Sequence, residues 1–192
     1  MGKFKPIVFS TQMAAALLDG SKTQTRRCVK LGPEEEEAHE GDGGDELHAI
    51  RNEGGDVVER VIRPRYKPGD ILYVRESYRE TGERLTPYAY KADETPLMLL
   101  GENGQTISVK YRYKPSIHMP KAAARIFLRV TGISVEKLAQ VTDSDSIAEG
   151  FKTRREFLTY WDLLNTKRGY SNNTDPFVWK ITFERTDKPY GW

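Results

Sequence analysis

Cysteine is almost missing from the chain: Cys28 is the only one in 192 residues, so an internal disulfide and a cysteine-based zinc set are both excluded. Histidine is scarce as well. His39, His48 and His118 follow no metal-ligand spacing, and neither a metal nor a cofactor is expected. Long apolar runs are absent. Stretches such as 14–18 and 97–100 fall far short of the ~18 residues a transmembrane helix needs, and the first ten residues lack an apolar signal region. A membrane-spanning helical protein is thereby excluded, and a cytoplasmic location is the expectation. No internal repeat is visible either, which removes solenoids and propellers.

What the chain does have is charge, unevenly spread. Hydrophobic residues make up 38% and charged residues 30%, enough apolar material for one core, so a single domain over 1–192 is expected. The net charge is only +2, yet residues 33–60 hold eleven acids against Arg51 and Arg60 and so carry −9. The remaining body therefore carries +11, which suits a polyanionic partner such as RNA or equally a solvated basic surface. Five glycines and very few apolar residues within 33–55 read as a flexible surface loop inserted in the domain.

Elsewhere the pattern favours strands. Residues 6–9, 71–76, 88–91, 109–113, 125–133 and 177–184 are strand candidates. Thr11 can open a helix that Gly20 stops. Thr142 to Asp145 has capping-box spacing ahead of a short helix ending at Gly150. A further helix presents Phe157, Leu158, Trp161 and Leu164 on one face. Pro115 and Pro120 bracket residues 116–119, which read as an extended loop. Strands outnumber helices and the connections are irregular, so the fold class expected is α+β, mainly β: a small, partly closed barrel with short flanking helices.

Three features concentrate chemistry. Residues 20–27, GSKTQTRR, follow a helix stop with three hydroxyls and three cations; without a glycine-rich frame they are no phosphate loop, and a basic edge strand would look the same. Glu149 sits at a helix C-terminus, where the dipole disfavours a carboxylate by ~0.3–1 kcal/mol, so it needs a cation nearby. His118 is a candidate pocket-lining group. Tyr73, Tyr78, Tyr88 and Tyr90 are candidates to stack on a base, whereas Trp161 and Trp179 fall at core periodicity.

The ordered set Pro6-Ile7-Val8-Phe9-Ser10, Gly20 to Arg27, Pro68-Gly69-Asp70, Tyr73-Val74-Arg75-Glu76, Pro115 to Pro120 and Ala148-Glu149-Gly150-Phe151 resembles the activating signal cointegrator homology (ASCH) domain, in the version common among phage and prophage proteins. The resemblance implies a PUA-like β-barrel with a cleft, in a superfamily associated with RNA binding and modified nucleosides. Small bacterial members include amidohydrolases that remove the acetyl group from N4-acetylcytidine with a lysine, a threonine and a glutamate. Those three fall here on Lys22, Thr25 and Glu149, and the family's arginine falls on Arg27. The acidic insertion and Ala122, where many such sequences have tryptophan, are departures.

The first reading is thus an ASCH-domain protein that binds RNA or a modified nucleoside, with Arg26, Arg27, Arg75, Glu76 and His118 as ligand contacts. The second is an amidohydrolase using Lys22, Thr25 and Glu149. The third is a phage accessory module whose acidic segment binds a basic protein. In a regular strand, residues three apart face opposite sides, so Lys22 and Thr25 converge only if the backbone turns or bulges between them.

Overall fold

A computed structural model describes residues 3–32, 37–53, 56–93, 97–100, 106–109 and 111–192. In chain order the elements are β1 (Phe4–Val8), α1 (Thr11–Leu18), β2 (Gln24–Cys28), β3 (Glu37–Glu40), β4 (Leu47–Glu53), β5 (Asp56–Ile62), β6 (Ile71–Arg75), β7 (Tyr78–Glu80), β8 (Tyr88–Tyr90), β9 (Leu97–Leu100), β10 (Thr106–Val109), β11 (Phe127–Lys137), α2 (Asp143–Ala148), α3 (Arg154–Asn165) and β12 (Phe177–Thr186). The molecule is α+β and mainly β. No helix of the described residues is long and apolar enough to cross a membrane.

The centre is a five-stranded sheet in the order β1-β6-β11-β12-β2, with β1 and β6 parallel and the other pairs antiparallel. The turn at Lys67-Pro68-Gly69-Asp70 is fixed by the buried Asp70, whose carboxylate accepts from the backbone N–H groups of Lys3 (3.0 Å) and Lys67 (3.1 Å) and pairs with Lys5. One carboxylate thereby ties the start of β1 to the start of β6. In β12, Val178, Trp179, Ile181 and Phe183 are all buried, because this central strand is covered on both faces. Ser10, rather than Thr11, caps α1 by accepting from the Met13 N–H, and Gly20 turns the chain with φ +82°. The capping box of α2 forms as the spacing predicts, with Thr142 and Asp145 reciprocally bonded. In α3 the buried stripe is Phe157, Trp161 and Asn165. Leu164 is instead 49% exposed.

Four expectations are refined or corrected. No closed barrel forms among the described residues: β1 and β2 remain the two edges of the central sheet, and their ends are linked by the Arg27 guanidinium donating to the Val8 carbonyl (2.9 Å), not by backbone pairing. The acidic insertion is not a plain loop over its described part. It folds into an antiparallel sheet β3-β4-β5, and period-two alternation turns Ala38, Leu47 and Ile62 onto the main core while Glu37 and Glu59 fall on the opposite face. Its acidic residues 34–36 lie outside the described residues, as do the glycines at 101 and 104. Residues 116–118 form a 3-10 turn, which prolines on either side tolerate because neither falls inside it, and the strand expected at 109–113 is Thr106–Val109 instead.

Candidate functional site

Lys22 does not belong to a regular strand. The chain leaving α1 donates Lys22 N–H to the Ala16 carbonyl (3.0 Å) and Thr23 N–H to the Ala148 carbonyl (2.8 Å), and Lys22 forms an isolated antiparallel bridge with Glu149 before β2 begins at Gln24. This break removes the facing problem between Lys22 and Thr25. Gly150 makes the approach possible. It has φ +89°, and a Cβ there would lie 3.0 Å from the Ala16 Cβ and 3.5 Å from the Lys22 Cβ.

The Lys22 ammonium donates to Glu149 Oε2 (2.7 Å) and to the Glu149 carbonyl (2.8 Å), and both side chains are withdrawn from solvent. Glu149 ends α2, and the cation required by that position is supplied twice, by Lys22 and by Arg26 Nη1 at 3.3 Å from Oε1. Burial holds the Lys22 amine below the usual lysine range; Glu149 opposes that shift, and the Arg27 and Arg26 charges add to it.

Arg26 is a buried hub. Its Nε donates to Glu136 Oε1 (2.7 Å), and Nη2 lies 2.6 Å from that oxygen and 3.2 Å from Asp145 Oδ1, without hydrogen-bond alignment at Nη2. Asp145 also receives Lys180 Nζ (2.6 Å) and Gln24 Nε2 (3.1 Å). Arg26 also lines the cavity beside these groups, but its charge is shared among three carboxylates inside the protein.

A cavity of about 660 Å³ opens between these groups and α3, and Lys22, Thr25, Arg27 and Glu149 all line it. Thr25 is buried, and among the described residues its hydroxyl makes no hydrogen bond. Phe9 lies beneath both cations, 5.6 Å from Lys22 Nζ and 5.1 Å from the Arg27 guanidinium carbon. Tyr160, whose hydroxyl donates to Ser10 Oγ (2.7 Å), and Phe151 add aromatic surface. Lys30 and Arg168, both exposed, contribute to the same lining. Cys28 lines it too, in contact with Asn165 Oδ1 at 3.6 Å, and burial pushes its thiol up to about 11.

Other sequence candidates lie elsewhere. Arg75 donates to the Met119 carbonyl (2.8 Å), and Glu76 is buried in a two-pronged pair with Arg125 (2.9 and 3.1 Å), whose guanidinium stacks 3.9 Å from the Tyr90 ring centre. The His118 side chain is exposed, while its carbonyl accepts from the Tyr78 hydroxyl (3.1 Å). None of the three lines the cavity, and neither do Tyr73, Tyr78, Tyr88 and Tyr90, which pack in a second apolar cluster. Sequence reasoning missed Phe9, Ser10, Tyr160 and Asn165 as neighbours of the site. Phe9 and Ser10 lay within a motif that carries the resemblance, whereas Tyr160 and Asn165 carried no signal.

No family model matches the chain, and no curated protein matches it. A solved structure of a protein from Enterococcus faecalis V583, described under the family model DUF984, aligns over 100% of this chain and 86% of its own, at 13% identity and a TM-score of 0.45.

Proposed function

We propose that the cavity takes a nucleoside, free or within RNA, whose exocyclic amine carries an acyl group, and that Lys22, Thr25 and Glu149 hydrolyse this amide. The observation that carries the reading is Thr25, a buried residue whose hydroxyl has no protein partner among the described residues, lining the same cavity as a lysine whose charged form burial disfavours. The resemblance to ASCH domains of the PUA-like superfamily supports the substrate class, and 660 Å³ lies within the ~300–1,000 Å³ usual for small-molecule sites.

The steps balance as follows. After Lys22 has shed the proton it carries in its pair with Glu149, a loss that burial favours, its Nζ takes the Thr25 hydroxyl proton as Oγ attacks the acyl carbon, and Glu149 stabilises the ammonium that re-forms. The Arg27 guanidinium offsets negative charge growing on the carbonyl oxygen. The C–N bond breaks, the lysine proton passes to the departing amine, and the acyl group stays on Oγ as an ester. Water then cleaves the ester, releasing carboxylate and restoring threonine. Lys30 and Arg168 at the rim suit a phosphate attached to the nucleoside, which is how RNA would be held.

The test is chromatographic measurement of cytidine released from N4-acetylcytidine. Turnover by the wild type and its near-complete loss in Thr25→Ala, with nucleoside binding retained, is the expected result. Equal turnover in both proteins overturns the threonine mechanism. Binding without turnover by the wild type overturns the hydrolase and leaves a protein that reads the modified base.

A further inference from the structure

The acidic insertion brings together residues that the sequence leaves apart. In the register of β3 and β4, His39 stands directly opposite His48; in that of β4 and β5, Ile50 stands opposite Glu59. Strand alternation puts His39, His48 and Glu59 on one face, the face away from core-packed Ala38, Leu47 and Ile62. The two imidazole centres are 5.3 Å apart and tilted by 31°, His48 Nδ1 is 2.5 Å from Glu59 Oε1, and His39 Nε2 is 3.7 Å from the same oxygen. One ligand atom from each residue lies within 4.8 Å of the other two.

These separations match a metal site that lacks only small side-chain adjustments. Zinc binds imidazole nitrogen at ~2.0–2.1 Å and carboxylate oxygen at ~2.0–2.2 Å, so tetrahedral ligand atoms stand about 3.3 Å apart. The close His48–Glu59 contact already brings an imidazole nitrogen and a carboxylate oxygen together, as two ligands of one ion must be. Gly41 shapes the site. A Cβ there would come within 2.9 Å of His48 Nε2, so only glycine leaves the ring where its Nδ1 meets Glu59. The −9 charge of residues 33–60 draws cations of any kind, while two imidazoles with one carboxylate select zinc-like ions over calcium or magnesium, which prefer all-oxygen shells.

We propose that His39, His48 and Glu59 form a three-ligand site for a divalent transition ion of the zinc type, with water completing the coordination. None of the three lines the cavity, so this site stands or falls independently of the amidohydrolase reading.

The experiment is calorimetric titration of ZnCl₂ into the full chain, free of any histidine tag, with Mg²⁺ in excess. One equivalent of Zn²⁺ should bind, and His39→Ala and Glu59→Gln should each weaken it by roughly tenfold or more. His39 is largely exposed, so its loss does not endanger folding. His118→Ala, which removes a histidine outside the cluster, should leave the affinity unchanged, and Co²⁺ in place of Zn²⁺ should give visible absorption that His39→Ala abolishes. Absence of Zn²⁺ binding, displacement by Mg²⁺, or wild-type affinity in His39→Ala overturns the proposal.

Discussion

Glu149→Gln isolates the energetics at the centre of the site. The substitution keeps the shape but leaves the Lys22 ammonium, 1% exposed in its side chain, without its counter-ion, and takes one of three carboxylates from Arg26. Breaking a buried pair from one side costs about 3–5 kcal/mol. An independent bound agrees. Stranded Lys22 can always release its proton, and doing so from an unfolded value of ~10.4 costs about 4.6 kcal/mol at pH 7 and about 1.9 kcal/mol at pH 9. The sign follows from linkage: a lysine whose folded pKa lies below its unfolded value binds fewer protons when folded, so stability rises with pH between the two values. The deficit of Glu149→Gln relative to wild type should therefore narrow by up to about 2.7 kcal/mol from pH 7 to pH 9. Urea unfolding at both pH values reads this as a midpoint shift at constant slope. Adding Lys22→Met to Glu149→Gln should recover part of the loss, because the stranded charge is gone and Arg26 keeps Glu136 and Asp145. A loss below ~1 kcal/mol at pH 7, or an equal loss at both pH values, would refute the argument that this pair is a buried, charged one.

Two further outcomes are expected. Burial raises the Asp145 carboxyl, but hydrogen bonds from Lys180, from the Thr142 backbone and hydroxyl and from Gln24 outweigh it and hold the group well below the usual carboxylate range. Its contribution is present above the unfolded value of ~3.9 and fades as pH falls from there toward the folded value, so Asp145→Asn should be less stable at pH 7 and show a shallower loss of melting temperature in acid; an unchanged acid slope contradicts this. The Cys28 thiol, raised by burial from 9.0 to about 11, should hold about a hundredfold less thiolate at pH 8 than a free thiol, so its alkylation in the folded chain should be far slower than in urea. Equal rates in the two states would show that Cys28 is not sheltered.

By itself the sequence determined the local structure and the chemical types. The capping box at Thr142 and Asp145, the helix stop at Gly20, the turn before β6 and the apolar stripe of β12 depend on contacts within a few residues or on strand period, and all of them form. The need of Glu149 for a cation followed from its place at a helix end, since a dipole is local as well. Tertiary structure decided which cation answered, because Lys22 lies 127 positions away and meets Glu149 only through the bridge beside Gly150. It also decided that Arg26 is tied to three carboxylates, while Arg27, the next residue, bonds across to β1, both of them lining the cavity. Composition misread residues 33–55 as a loop, since charge counts do not register that Ala38, Leu47 and Ile62 share one strand face and find the core. The meeting of His39, His48 and Glu59 depends on the same register, a pairing between strands that no spacing along the chain encodes.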